Sequence, residues 1–198
     1  MVNRVGVMGG TFDPIHFGHL LAASEVCFRL DLDRVIFVPT GEPWQKVDRV
    51  VSDSADRLRM AELATDPDPR FCSSRVDVDR AGPTFTVDTL RDLALELEPD
   101  SELFFIAGAD TLTSINTWRN ADELAGLAHF VAVSRPDHQL TNPTGAAVDV
   151  ELVEIPGLSI SSSECRRRVG AGEPIDYLVP SAVVSFIRER GLYSDVVR

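Results

Sequence analysis

Residues 4–26 read RVGVMGGTFDPIHFGHLLAASEV. A short strand-like run, residues 4–9, stops at the glycine pair Gly9 and Gly10, and Thr11, Phe12, Asp13 and Pro14 follow. Then come His16, Gly18 and His19, after which Leu20, Ala23, Cys27 and Leu30 recur at helical spacing, predicting a helix over 19–30. A strand that turns through glycine into a helix is the opening unit of an α/β sheet. Glycines directly after a strand let the backbone approach a ligand closely and accept positive φ. A helix beginning near Gly18 aims free N–H groups and a partial positive charge at an anion. His16 and His19 lie about one turn apart and can reach the same phosphate. A plain turn with two incidental histidines accounts for each feature alone but not for their convergence. Neither GxGxxG nor a Walker lysine is present. The two histidines lack further Cys or carboxylate partners at ligand spacing, so no metal ligands are expected from protein side chains.

The alternation continues outward from this unit. Strands are expected at 34–40, 71–78, 102–109, 129–135 and 150–156. Helices are expected at 54–65 and 87–97, the second turned inward by Val87, Leu90, Leu93 or Ala94, and Leu97. RVIFVPT (34–40) and ELFFIAGA (102–109) are apolar almost throughout, as strands covered on both faces of a parallel sheet are. The order implies an α/β, Rossmann-like open parallel sheet with helices on both faces, and a small C-terminal helical region from about 160 to 198. Residues 136–147 read as a loop. With no repeat, low-complexity tract or composition break, residues 1–198 read as a single domain. Sheets of this kind bind ligands at the carboxyl ends of their strands, near the point where strand order reverses.

Composition narrows the function classes. The net charge of −12 argues against a nucleic-acid partner, since that affinity comes mainly from neutralising phosphates. No apolar run approaches the roughly 20 residues of a membrane span, and the N-terminus has no signal-peptide pattern. Cys27, Cys72 and Cys165 are odd in number and far apart, without zinc spacing, which fits a reduced, cytoplasmic compartment. The positive charge is almost all Arg; Lys46 is the sole lysine. A small anionic ligand therefore needs a local cradle of Arg, His, Lys46 and backbone N–H groups.

Four further stretches supply such groups. PTGEPWQK (39–46) follows the second strand and carries Lys46. In ISSSECRRR (160–168), Ser161 and Glu164 have capping-box spacing, Ser162 and Ser163 fall in the first turn, and Arg166 on the next. In FFIAGADTLTSINTWRN (104–120), Asp110 at a strand end suits two sugar hydroxyls and Trp118 suits a planar ring. In GPTFTVDTL (82–90), Thr84 or Thr86 can cap the following helix. Each has a simpler structural account: a surface loop, a capped helix, a core tryptophan, a cap.

Taken in order, GGTFDPIHFGH, VPTGEPWQK, GPTFTVDTL, GADTLTSINTW, ISSSECRRR and LVPSAVVSFIRERGLY resemble bacterial nicotinate-mononucleotide adenylyltransferases of the nucleotidyltransferase superfamily, most of all the actinobacterial members. The resemblance covers nearly the whole chain. It implies that ATP and nicotinate mononucleotide react, with Mg²⁺, to give deamido-NAD and pyrophosphate in NAD biosynthesis. It places catalytic roles on His16, His19, Lys46 and Arg166, and ATP contacts on Gly9, Gly10, Thr11, Phe12, Gly18, Gly108, Asp110, Ile160, Ser161 and Ser162 as well as on His16, His19 and Arg166. It places the mononucleotide beside Thr40, Lys46, Thr86, Trp118 and Arg119, and it admits a homo-oligomer. The chain departs from the family pattern in Ser163 where relatives carry Thr, in Gln45 where many carry His, and in Arg119 where many carry an aromatic residue. Phosphopantetheine or nicotinamide mononucleotide as acceptor, and a non-catalytic dinucleotide-binding module, are the competing readings. The last lacks its GxGxxG turn.

Overall fold

Successive side chains of a strand leave on opposite faces, so one apolar run can feed two cores at once. The strand β1 (Arg4–Gly10) does this: Met8 enters one hydrophobic cluster, while Val5 and Val7 enter another on the opposite face. The next strand, β2 (Arg34–Pro39), divides likewise into Val35 and Phe37 against Ile36 and Val38. The computed structural model describes residues 2–42, 52–134 and 148–194.

Among the described residues six strands pair throughout in parallel: β1, β2, β3 (Phe71–Ser73), β4 (Glu102–Gly108), β5 (His129–Ser134) and β6 (Val150–Glu154). Their order across the sheet is β3-β2-β1-β4-β5-β6. Order therefore reverses between β1, which meets β2 on one side, and β4, which it meets on the other. Right-handed crossovers put the helices of the two halves on opposite faces. The helices α1 (Phe17–Arg29) and α2 (Ser54–Thr65) lie with the C-terminal pair α6 (Ser162–Gly170) and α7 (Ser181–Arg190) over one face. The other is covered by α3 (Thr86–Glu96), α4 (Ala109–Leu112) and α5 (Ala121–Leu124). The C-terminal helical region is thus part of a sheet layer: Cys165, Val183, Val184 and Ile187 share a cluster with Ala23 and Phe37.

The expected elements form, with differences that have local causes. The helix α1 starts at Phe17, and it buries Ala22, Ala23, Val26 and Cys27 while Leu20 and Leu30 stay half-exposed. The third strand ends at Ser73, well short of 78, because Asp77 turns inward to Thr89 and Arg80 and the chain must leave the sheet to allow it. In α3, Leu93 is buried and Ala94 exposed. Residues 109–124 hold α4, a 3₁₀ turn at Ile115–Thr117 and α5, each too short to carry a helical apolar period. The last strand ends at Glu154, although Ile155 extends the ladder by one bond to the Ser134 carbonyl at 3.0 Å. The expected loop at 136–147 lies outside the described residues.

Candidate active site

At the carboxyl ends of β1 and β4, where the order reverses, lies a cleft of about 720 Å³. Gly9, Gly10, Thr11, Phe12, His16, Gly18 and His19 line it, with Thr40 at the end of β2. From the other half come Thr86, Gly108, Asp110, Trp118 and Arg119, and from the start of α6 Ile160, Ser161, Ser162 and Arg166. Five stretches far apart in sequence thus border a single hollow. Lys46 lies outside the described residues.

The turn after β1 differs from expectation. Both glycines belong to the strand, and the left-handed conformation falls on Phe12, at φ 50°. A non-glycine residue there costs roughly 1–2 kcal/mol. Packing offsets it, since Phe12 is buried, edge-on to His19 at 5.1 Å between centroids and beside Phe37 at 5.8 Å. A Cβ on Gly10 would stand 3.0 Å from the Phe12 ring, so any side chain there presses on that ring.

His16 and His19 stack, with centroids 3.7 Å apart and planes 20° from parallel. The His16 backbone N–H donates to His19 Nδ1 at 3.2 Å. That bond occupies Nδ1 as an acceptor, so a neutral His19 carries its proton on Nε2. Two N–H groups expected to await an anion at this helix start are engaged internally. Phe17 donates to the Leu178 carbonyl at 3.0 Å, and His19 to the His16 carbonyl at 2.9 Å.

At α6, Ser161 Oγ accepts from the Glu164 N–H at 3.2 Å, but the box is only half closed, because Glu164 turns to Arg167 and Arg168. Those contacts, Arg167 first, pull its carboxyl down to about 2. Ser162 Oγ is not free for a ligand; it donates to the Pro14 carbonyl at 2.9 Å. Arg166 bends toward the β1 turn, donating through Nη1 to the Asp13 carbonyl at 2.6 Å and through Nη2 to Ser163 Oγ at 3.3 Å. The two helix starts are thereby laced together around the glycine turn.

The far wall is more apolar. Trp118 meets Phe105 edge-on at 5.9 Å, a geometry worth about 0.5–1.5 kcal/mol beyond area burial. Arg119 lies over the Phe85 ring at 4.7 Å. Neither Thr84 nor Thr86 caps α3: Phe85 is its N-cap, and Thr84 is buried against the cleft. Trp118 Nε1 and Thr84 Oγ1 are buried without a hydrogen-bond partner among the described residues.

Several residues of the site carry no sequence signal. Asp13 is buried, its Oδ1 accepting from the Tyr193 hydroxyl at 2.7 Å. Burial, reinforced by Asp13, holds that hydroxyl well above the usual tyrosine range. Asp77 is buried in the cleft wall, taking Thr89 Oγ1 at 2.7 Å and Arg80 Nη1 at 2.8 Å on one oxygen. Burial raises its carboxyl above the ordinary value, against the pull of Thr89 and Arg80. Gly41 packs so close that a Cβ would stand 2.2 Å from the Asp77 carbonyl oxygen.

Residues 7–168 match the model of the cytidylyltransferase-like family. The chain is 57% identical over 195 residues to a protein of Acidothermus cellulolyticus, covering 96% of this chain and 94% of the relative. It is 58% identical over 186 residues to one of Streptomyces coelicolor, covering 94% and 98%. Both relatives bear the name "Probable nicotinate-nucleotide adenylyltransferase". The chain belongs to this family. Its fold is also that of the Plasmodium falciparum nicotinic acid mononucleotide adenylyltransferase solved with NaAD. The TM-score is 0.77 at 21% identity, over 97% of this chain and 98% of that one. The cleft lies at the order reversal, the place where open parallel sheets of this kind offer room for a ligand.

Proposed function

We propose that the protein transfers the adenylyl group of ATP to nicotinate mononucleotide, releasing pyrophosphate and forming deamido-NAD for NAD biosynthesis. The observation that carries this is one shared cleft, with histidine, serine and arginine side chains at its β1 and α6 end and an aromatic wall at the other. The names of the relatives support the same pair of substrates.

The mononucleotide's phosphate, largely dianionic near neutral pH, is already a nucleophile. Its oxygen forms a bond to the α-phosphorus of ATP as the bond to the β-phosphate bridge oxygen breaks, and pyrophosphate leaves with the electron pair. No proton has to move, so the protein's part is placement and stabilisation of charge. His19, with Nδ1 engaged, presents Nε2–H to a phosphate oxygen. Arg166, held by Asp13 and Ser163, adds a fixed cation. Lys46 supplies a third donor in this reading, and Ser161 leaves the α6 start facing the triphosphate. Gly108 and Asp110 receive the adenosine side. Thr40, Thr86, Trp118 and Arg119 receive the pyridine mononucleotide.

Mg²⁺ fits this donor set as a passenger of the triphosphate. Asp13 and Asp77 are engaged with protein donors, Tyr193 on the first and Thr89 and Arg80 on the second. Bound with ATP, Mg²⁺ neutralises charge on the phosphates. The three cysteines are unpaired, which supports a cytoplasmic setting, and among the described residues no helix is long and apolar enough to cross a membrane.

Pyrophosphate release from MgATP, measured in parallel with nicotinate mononucleotide, nicotinamide mononucleotide and phosphopantetheine, tests the reading. Fastest turnover with the nicotinate form is expected; turnover with phosphopantetheine alone, or with none, overturns it.

A further inference from the structure

Arg57 is an arginine with 1% of its surface exposed, in the first turn of α2, and no carboxylate lies within ion-pairing distance of it among the described residues. Its guanidinium instead collects backbone carbonyls. Nε donates to Ser52 O at 2.9 Å, Nη1 to Thr11 O at 3.0 Å and to Thr40 O at 2.5 Å, and Nη2 to Gly41 O at 2.7 Å. Four of the five N–H donors of an arginine are therefore engaged. Those carbonyls belong to three chain segments: the turn leaving β1, the end of β2, and the residue just ahead of the α2 cap Asp53. Thr11 and Thr40 both line the cleft. Gly41 and Ser52 also bring together the chain on either side of residues 43–51, which carry Lys46. Burying a cation is costly, and burial does pull this guanidinium below its ordinary value, against support from Asp13. An apolar side chain would fill the same space, so packing alone does not explain an arginine here.

We propose that Arg57 is a positioning residue for adenylyl transfer: its planar fork fixes the spacing between the β1 turn, the β2 end and the root of α2, and so the placement of the cleft-lining Thr11 and Thr40 relative to each other. This rests on the adenylyltransferase reading above. A lysine cannot stand in, since an ammonium offers three donors from one point rather than a rigid fork reaching four carbonyls.

The test compares wild type with Arg57→Lys and Arg57→Gln at varied ATP and nicotinate mononucleotide. Circular dichroism and thermal melting report the folded fraction, and hydrogen exchange is followed for peptides covering 9–12, 40–42 and 130–133. Expected for Arg57→Lys is a kcat per folded molecule at least tenfold below wild type, with KM for the mononucleotide within about threefold. Exchange should be at least tenfold faster at 9–12 and 40–42, and unchanged at 130–133. Wild-type kcat with wild-type exchange in Arg57→Lys overturns the proposal, as does a loss of activity that the unfolded fraction accounts for in full. Global unfolding of both variants assigns Arg57 to the fold alone and also overturns it. If wild type itself turns over no mononucleotide, the adenylyltransferase reading fails. The exchange measurement needs no turnover and still decides whether Arg57 holds the two rims.

Discussion

The Tyr193 hydroxyl donates to Asp13 Oδ1 at 2.7 Å, joining two residues 180 positions apart. The contact is buried, and the backbone carbonyl of the same aspartate receives Arg166. Tyr193→Phe removes the hydroxyl and little volume. It should lower unfolding free energy by about 1–3 kcal/mol, because a buried carboxylate loses a donor. Chemical denaturation measures that loss, and pyrophosphate release should show kcat falling severalfold through Arg166. Unaltered denaturation would remove Tyr193 from the support of the cleft.

His19→Ala deletes the Nε2–H donor aimed by the His16 N–H. A donor that acts mainly on charge developing in the transition state is worth on the order of 10²-fold in kcat. Steady-state kinetics should show that fall with KM for ATP changing little. A rise in KM at constant kcat would make His19 a ground-state contact instead.

Gly41→Ala puts a methyl group 2.2 Å from the Asp77 carbonyl oxygen, which is backbone and cannot swing aside. Overpacking of that kind costs about 1–3 kcal/mol. Differential scanning calorimetry should report a lowered Tm, and KM for the mononucleotide should rise because Thr40 and Asp77 both border the cleft. An alanine variant as stable and active as wild type would contradict the close approach.

Glu164 has its carboxyl depressed to about 2 by Arg167 and Arg168, against an ordinary value of 4.5. A folded-state value below the unfolded one gives stability that is present above pH 4.5 and is lost as pH falls toward 2. Melting curves of wild type and Glu164→Gln should therefore differ most near neutrality and converge on acidification. A gap that widens in acid would reverse the sign.

Much of the architecture was legible because the apolar period of each long element matches its surroundings. The unbroken run Val35–Val38 announces a strand covered on both faces, and Val87, Leu90 and Leu93 announce one helix face. The site was legible as a set of stretches, since glycine turns and helix starts fall at strand ends. What stayed hidden depends on distant partners. Arg57 reads as one more charged residue of a helix until strands 16 and 46 residues away bring it carbonyls. Asp13 reads as half of an Asp-Pro turn until the chain's other end supplies Tyr193. Ser162 and the amides of a helix beginning near Gly18 read as open donors, yet the Pro14 carbonyl takes the first and the Leu178 and His16 carbonyls take the amides of Phe17 and His19. Positive φ fell on Phe12 rather than on glycine because ring packing, invisible in local sequence, outweighs the local preference.

The central place of β1 has a consequence during synthesis. Val5 pairs with Leu103, which leaves the ribosome about 98 residues later; at about 5–20 residues per second that is roughly 5–20 s. Through that interval one flank of the newborn chain's first strand waits with its amides open to water and to other polypeptides. Agents that cover nascent chains should therefore matter to this protein's yield more than its modest length suggests.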